Sequence, residues 1–228
     1  MQVIHQISRV LIEPSAVFAA LKTAPGWRWT MLLLQAITAA ILLWWFYQGM
    51  SASHIVEQQL LLAGDMTPAE QQQSRAILAQ MAGNMPLIAP AMAAVMSVVV
   101  SLVFALYFLV ASRFAKQFSV GDWLVFACWV QAPQLVNWLG FAVLVLLSAS
   151  SDLPLTLTNY ASLNQLATLS APGDRSFNLL ENLNLFYLWQ LALTTVGLQQ
   201  WLGVSRRKAF TLAVLPFAVV FGLWTLAL

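Results

Sequence analysis

Five stretches of this chain, residues 29–47, 86–112, 123–147, 183–203 and 209–228, contain no charged side chain. Each matches the length that a helix rising about 1.5 Å per residue needs to cross a hydrocarbon core about 30 Å thick. The whole chain is 61% hydrophobic and 8% charged, against about 25% charged in soluble domains, and its mean hydropathy is +0.78. Lipid offers the backbone no hydrogen-bond partners, so such segments satisfy themselves as helices. The expected fold is all-α: a polytopic integral membrane protein, a bundle of five transmembrane helices in one domain over residues 1–228.

The charges sort by side. Arg9, Lys22, Arg28, Arg113, Lys116, Arg206, Arg207 and Lys208 fall on one side of an alternating five-span path, and Arg75 and Arg175 on the other. Six of the eight acids lie on the side poor in Lys and Arg. Basic loops stay cytoplasmic, which puts the N-terminus inside and the C-terminus outside, in the periplasm if the membrane is a bacterial inner membrane. In a Cys128→Ala background, Thr67→Cys is expected to react with an impermeant maleimide added to intact cells and Ser119→Cys is not. Equal labelling at both would exclude the alternating path.

Residues 1–28 read as a cytoplasmic amphipathic segment. Arg9, Glu13 and Lys22 interrupt any signal-peptide core, so no cleavage is expected. Ile4, Ile7 and Leu11 recur at helical spacing, Pro14 interrupts, and Val17, Phe18 and Leu21 form a second apolar patch. Two short helices fit, lying in the interface or packed under the bundle. Between the first two spans, Thr67-Pro68-Ala69-Glu70 is a capping box with Pro in the first helical position. It predicts a helix ending near Gly83 or Asn84, preceded by one from about Ser53 to Gly64. Ser119 and Asp122 form a weaker start signal for the third span, and Ser205 can cap the last. The second external loop, 148–181, reads as irregular with at most one short helix.

Within the spans, two patterns stand out. Ala89, Ala93, Ser97, Ser101 and Ala105 recur every four residues as a helix-packing stripe on the second span, and Ala218 and Gly222 repeat the device in the last. Gln131, Gln134 and Asn137, around Pro133, place three amides near the middle of the third span, with Gln190 and Thr194 at comparable depth in the fourth. This candidate polar cluster is either interhelical glue or the lining of a cavity for a ligand or lipid headgroup. Pro216 interrupts the last span and is expected to kink it.

What is missing narrows the function classes. No Asp, Glu, Lys, Arg or His lies inside any of the five runs, as ion-coupled transporters and pumps usually require. His5 and His54 belong to no ligand-spaced cluster, Cys128 is the sole cysteine, and no H-E-x-x-H, P-loop or G-x-S-x-G motif occurs. The sequence offers no catalytic, cofactor or metal residues, so a non-enzymatic role without cofactor is expected. No basic stripe points to nucleic acid. The expected partners are the bilayer, other membrane proteins or a second copy of the chain.

The segments IEPSAVFAAL before the first span, FSVGDWLVFACWVQAPQLV at the entry to the third, and LWQLALTTVGLQQWLGVSRRKAFTLAVLPFAV across the last two together resemble the Yip (Ypt-interacting protein) family. Eukaryotic Yip relatives are linked to Rab GTPases and vesicle trafficking, and carry a longer cytosolic region ahead of the bundle. The short leading segment here looks more like the bacterial members, which implies a bacterial inner membrane; no functional residue carries over. The resemblance implies a scaffold or adaptor that organises partners in the membrane. The alternative is a small-molecule or lipid carrier or channel using the mid-membrane amides, and a cavity reaching Gln131 and Gln134 would favour it.

Overall fold

The computed structural model describes residues 2–23, 26–112 and 118–228, apart from the side chains of 2–4 and 26. Arg113 and Lys116 of the expected inner loop, and the side chain of Ile4, lie outside the described residues. Twelve α-helices follow one another among them: α1 (Gln2–Ile12), α2 (Pro14–Leu21), α3 (Thr30–Gln48), α4 (Ala52–Ala63), α5 (Pro68–Ala82), α6 (Met85–Ala111), α7 (Val120–Val130), α8 (Pro133–Leu147), α9 (Leu163–Ala167), α10 (Phe177–Asn182), α11 (Phe186–Leu202) and α12 (Arg206–Leu226). Short 3-10 turns occupy Gly26–Trp29 and Leu155–Asn159.

Four of these segments are long and apolar enough to cross a membrane: Trp27–Gln48, Met85–Ala111, Val120–Leu147 and Arg206–Leu226. The remaining expected span, 183–203, starts later than its hydropathy suggests. Leu183 to Leu185 are held in a short antiparallel bridge, Leu163 N–H to Leu183 O at 2.7 Å and Leu185 N–H to Ala161 O at 2.9 Å. Helix α11 therefore has 17 residues, about 25 Å at 1.5 Å per residue.

The chain forms two compact units. The first comprises Met1–Thr38, Ala94–Val136 and Phe186–Leu223. Its centre is aromatic: Phe126 lies 5.4 Å from Phe18, 5.2 Å from Phe108, 5.4 Å from Trp123 and 5.0 Å from Trp201, ring centre to ring centre. Val10, Val17, Phe18 and Leu21 of α1 and α2 are fully buried in it, whereas Ile12 is exposed. The Trp201 indole donates to Phe18 O at 2.9 Å and Lys22 Nζ to Gln200 O, tying α2 to α11. Arg28 pairs with Asp122, and Trp129 Nε1 donates to Arg28 O at 2.8 Å. Asp122 also completes a reciprocal capping box with Ser119, so the weak sequence signal marks the true start of α7.

The second unit comprises Ala39–Ala93, Asn137–Leu185 and Trp224–Leu228. Here α4 and α5 form a hairpin. The Thr67–Glu70 capping box is complete, Gly64 ends α4 at φ +81°, and Arg75 on α5 reaches Glu57 on α4. Phe46 and Phe141, 5.1 Å apart, anchor a core with Ile55, Val56 and Leu60. The Ser51 N–H and hydroxyl bind Asp152 at 2.8 and 3.1 Å and hold its carboxyl below the usual range. The 148–181 loop is more ordered than its composition suggests, with one 3-10 turn and two short α-helices. Glu181, buried, accepts from Asn164 at 3.0 Å and from Gln165, and these long-range polar ties fasten α9 to α10.

Candidate functional site

In the first unit, prolines open the backbone of two apolar helices, and side-chain donors close it again. Pro133 has no N–H to offer Trp129 O. The ladder therefore shortens by one residue across the gap: Ala132 N–H goes to Trp129 O at 3.2 Å and Gln131 N–H to Cys128 O at 3.3 Å. The third span is consequently two helices, α7 and α8, and not the single continuous one its hydropathy implies.

Side-chain amides cover the carbonyls that this shift disturbs. Ala127 O, which loses the Gln131 N–H of a regular α-ladder, accepts Gln131 Nε2 at 2.9 Å. Cys128 O, which loses Ala132 N–H, accepts Gln35 Nε2 from α3 at 3.1 Å. Gln131 Nε2 also donates to Ser101 Oγ at 3.0 Å. Gln35 and Gln131 are both more than nine-tenths buried, where unmet backbone groups are costly.

Pro216 repeats the pattern in α12. A residue with an N–H there would pair with Leu212 O, four positions earlier; Tyr107 Oη donates to that carbonyl instead, at 2.7 Å.

Between these two interruptions lies a cleft of about 330 Å³. Val103, Phe104, Phe217 and Val220 form much of its wall, and Gln131, Gln134, Gln190, Tyr107 and Tyr187 supply its polar groups. Among the described residues no Asp, Glu, Lys, Arg or His lines it. Neutral amides and phenols beside apolar walls can donate and accept hydrogen bonds but provide neither a charged anchor nor a nucleophile with an adjacent base. The volume is within the range of about 300–1,000 Å³ typical of small-ligand sites.

Of the candidate polar cluster, then, Gln131, Gln134 and Gln190 come together. Thr194 does not join them: it is buried and donates to Gln190 O at 2.7 Å within its own helix. Asn137 belongs to the second unit, where its carbonyl accepts from Tyr160 Oη at 3.2 Å. Along the stripe, Ser101 and Ala105 are fully buried while Ala89, Ala93 and Ser97 are half-buried. Ala218 and Gly222, by contrast, are exposed, and a Cβ on Gly222 would meet nothing within 4 Å. Sequence reasoning missed Gln35, Tyr107 and Tyr187; Gln35 had left a trace as a lone amide well inside an apolar run. Among the described residues no group of three or more His, Cys, Asp and Glu could hold a metal ion.

A model of the Yip1 domain matches residues 8–227 of the chain. No curated protein and no solved structure matches it.

Proposed function

The chain belongs to the Yip1-domain family and is a multi-pass membrane protein, and on that premise we propose that it is a non-enzymatic binder of an uncharged or weakly polar amphiphile, held in the cleft beside the broken third span. The carrying observation is the cleft itself, apolar in its walls and reaching Gln131, Gln134 and Gln190. The amide hydrogens of Gln131 are already given to Ala127 O and Ser101 Oγ, so a ligand would draw mainly on the other polar groups that line the open cleft. In this reading α11 is a fifth, short span, accommodated by local thinning of the bilayer. The N-terminus and the Arg206–Lys208 end then lie in the cytoplasm of a bacterial cell, and α1 and α2 lie along the inner leaflet.

The test is native mass spectrometry and lipid extraction of the full chain purified in mild detergent. Gln134→Leu, and separately Val220→Trp, which fills the cleft from the α12 side, are each expected to lose most of a co-purifying amphiphile. The melting temperature of Val220→Trp should stay near wild type, and Gln134→Leu should lose no more than the about 0.6–1.7 kcal/mol of one hydrogen bond between membrane helices. Retention of that molecule in both variants, or no bound molecule in the wild type, would reject the reading.

The second reading, a scaffold that organises membrane partners, is favoured by the broad exposed apolar face of α6, including Val95, Val99, Val103 and Leu106. It predicts a protein that co-purifies in fixed ratio whether or not the cleft is filled. Ser101 and Ala105 lend it no free surface, because their side chains are already buried within this chain.

A further inference from the structure

Helix α12 begins Arg206-Arg207-Lys208 with no acidic residue in its first turn. That is the end at which aligned peptide dipoles already concentrate positive charge, so three cations there repel it unless an anion is close by. Among the described residues the ion pairs are Arg9–Glu13, Arg28–Asp122 and Arg75–Glu57, and none of them engages these three side chains.

Arg206 and Arg207 line a groove of about 980 Å³. Its apolar wall includes Leu188, Leu191, Val196 and Phe210. From Leu188 to Gln199 the groove follows twelve residues of α11, about 16 Å from first to last at a rise of 1.5 Å per residue. Thr195 contributes little polarity, since its hydroxyl already donates to Leu191 O at 2.8 Å. A largely apolar trough lined also by Gln199 and two arginines matches an acidic lipid in its combination of apolar wall and positive charge.

We infer that this groove binds an acidic phospholipid, with the phosphate between Arg206 and Arg207 and an acyl chain along α11. The planar guanidinium matches phosphate oxygens two at a time. A zwitterionic lipid would bring its own cation against the pair, and a transmembrane helix lying there would bury two unpaired charges. A soluble phosphate would leave the apolar wall without use. Among the described residues the groove shares no lining residue with the cleft, so this inference stands whether or not the cleft reading does.

The experiment titrates the full chain in mild detergent with phosphatidylglycerol and with phosphatidylcholine of the same acyl chains, counting bound lipid by native mass spectrometry. Near an anionic lipid each basic residue contributes about fivefold. Wild type is therefore expected to prefer phosphatidylglycerol by about tenfold or more. The Arg206→Gln/Arg207→Gln pair, exposed and so harmless to the fold, should lose most of that preference without a change in melting temperature. Ala192→Trp, which obstructs the trough and spares both arginines, should weaken the same lipid. An unchanged preference in the double glutamine variant would overturn the inference, as would full displacement of the lipid by inorganic phosphate, or equal binding of the two lipids by wild type.

Discussion

Gly197→Leu should leave little folded protein at temperatures where the wild type is intact. A Cβ at this position would stand 2.6 Å from Phe126 Cε2, 2.9 Å from Phe126 Cζ and 3.2 Å from Phe18 Cδ1. The rings have nowhere to go: Phe126 is fully buried, with Phe108, Trp123 and Trp201 around it at 5.0–5.4 Å. Overpacking a tight core by a methyl group or two costs about 1–3 kcal/mol, so Gly197→Ala should already lower the melting temperature. Leucine adds three further carbons and exceeds what the α2–α7–α11 junction can absorb. Gly222→Leu is the matched control, since nothing lies within 4 Å of its added Cβ and exposed substitutions usually stay within about 0.5 kcal/mol. Thermal melting in detergent separates them; similar curves for the two leucine variants would show that α11 does not approach α7 through this glycine.

The Gln35→Leu/Gln131→Leu double variant comes second in expected effect. It strips the side-chain donors from Cys128 O and Ala127 O. Hydrogen bonds between membrane helices average about 0.6 kcal/mol and reach about 1.7. The loss of both donors should therefore cost about 1–3 kcal/mol. The mechanism has its own internal check. Adding Pro133→Ala restores an N–H for Trp129 O, which lets Ala132 and Gln131 N–H return to Cys128 O and Ala127 O in a regular ladder. The triple variant should regain much of the lost stability. If the proline replacement rescues nothing, the amides are not standing in for the backbone.

The legible parts of this fold are those in which one local pattern decides the outcome. The apolar run 86–112 became α6, Met85–Ala111, and Thr67 with Glu70 became a complete capping box, because hydropathy and caps act within a few residues. The break at Gln131 was not legible in the same way. Pro133 marked a disturbance, but whether a span continues through it depends on donors such as Gln35, 93 residues away. Spacing also fails to say which of two small-residue rows faces inward: Ser101 and Ala105 are buried, while Ala218 and Gly222, equally well spaced, are exposed. Likewise the order of the 148–181 loop comes from Glu181 reaching back to Asn164 and Gln165, a tie with no periodic signature. For the candidate site, the sequence supplied Gln131, Gln134 and Gln190 but not the cleft, because a cavity is set by how far helices stand apart.

The repair of the third span also bears on biogenesis. A segment with disturbed carbonyls is a poor candidate for entering lipid on its own. Its outside helpers, Gln35 and Ser101, precede their partners Cys128 and Gln131 by 93 and 30 residues, so both have left the ribosome before α7 does. Translation order thus delivers the supports ahead of the segment that needs them. A chain permuted to make α7–α8 before α3 would present the translocation machinery with a break covered only by its own Gln131, with the Gln35 donor to Cys128 O not yet synthesised.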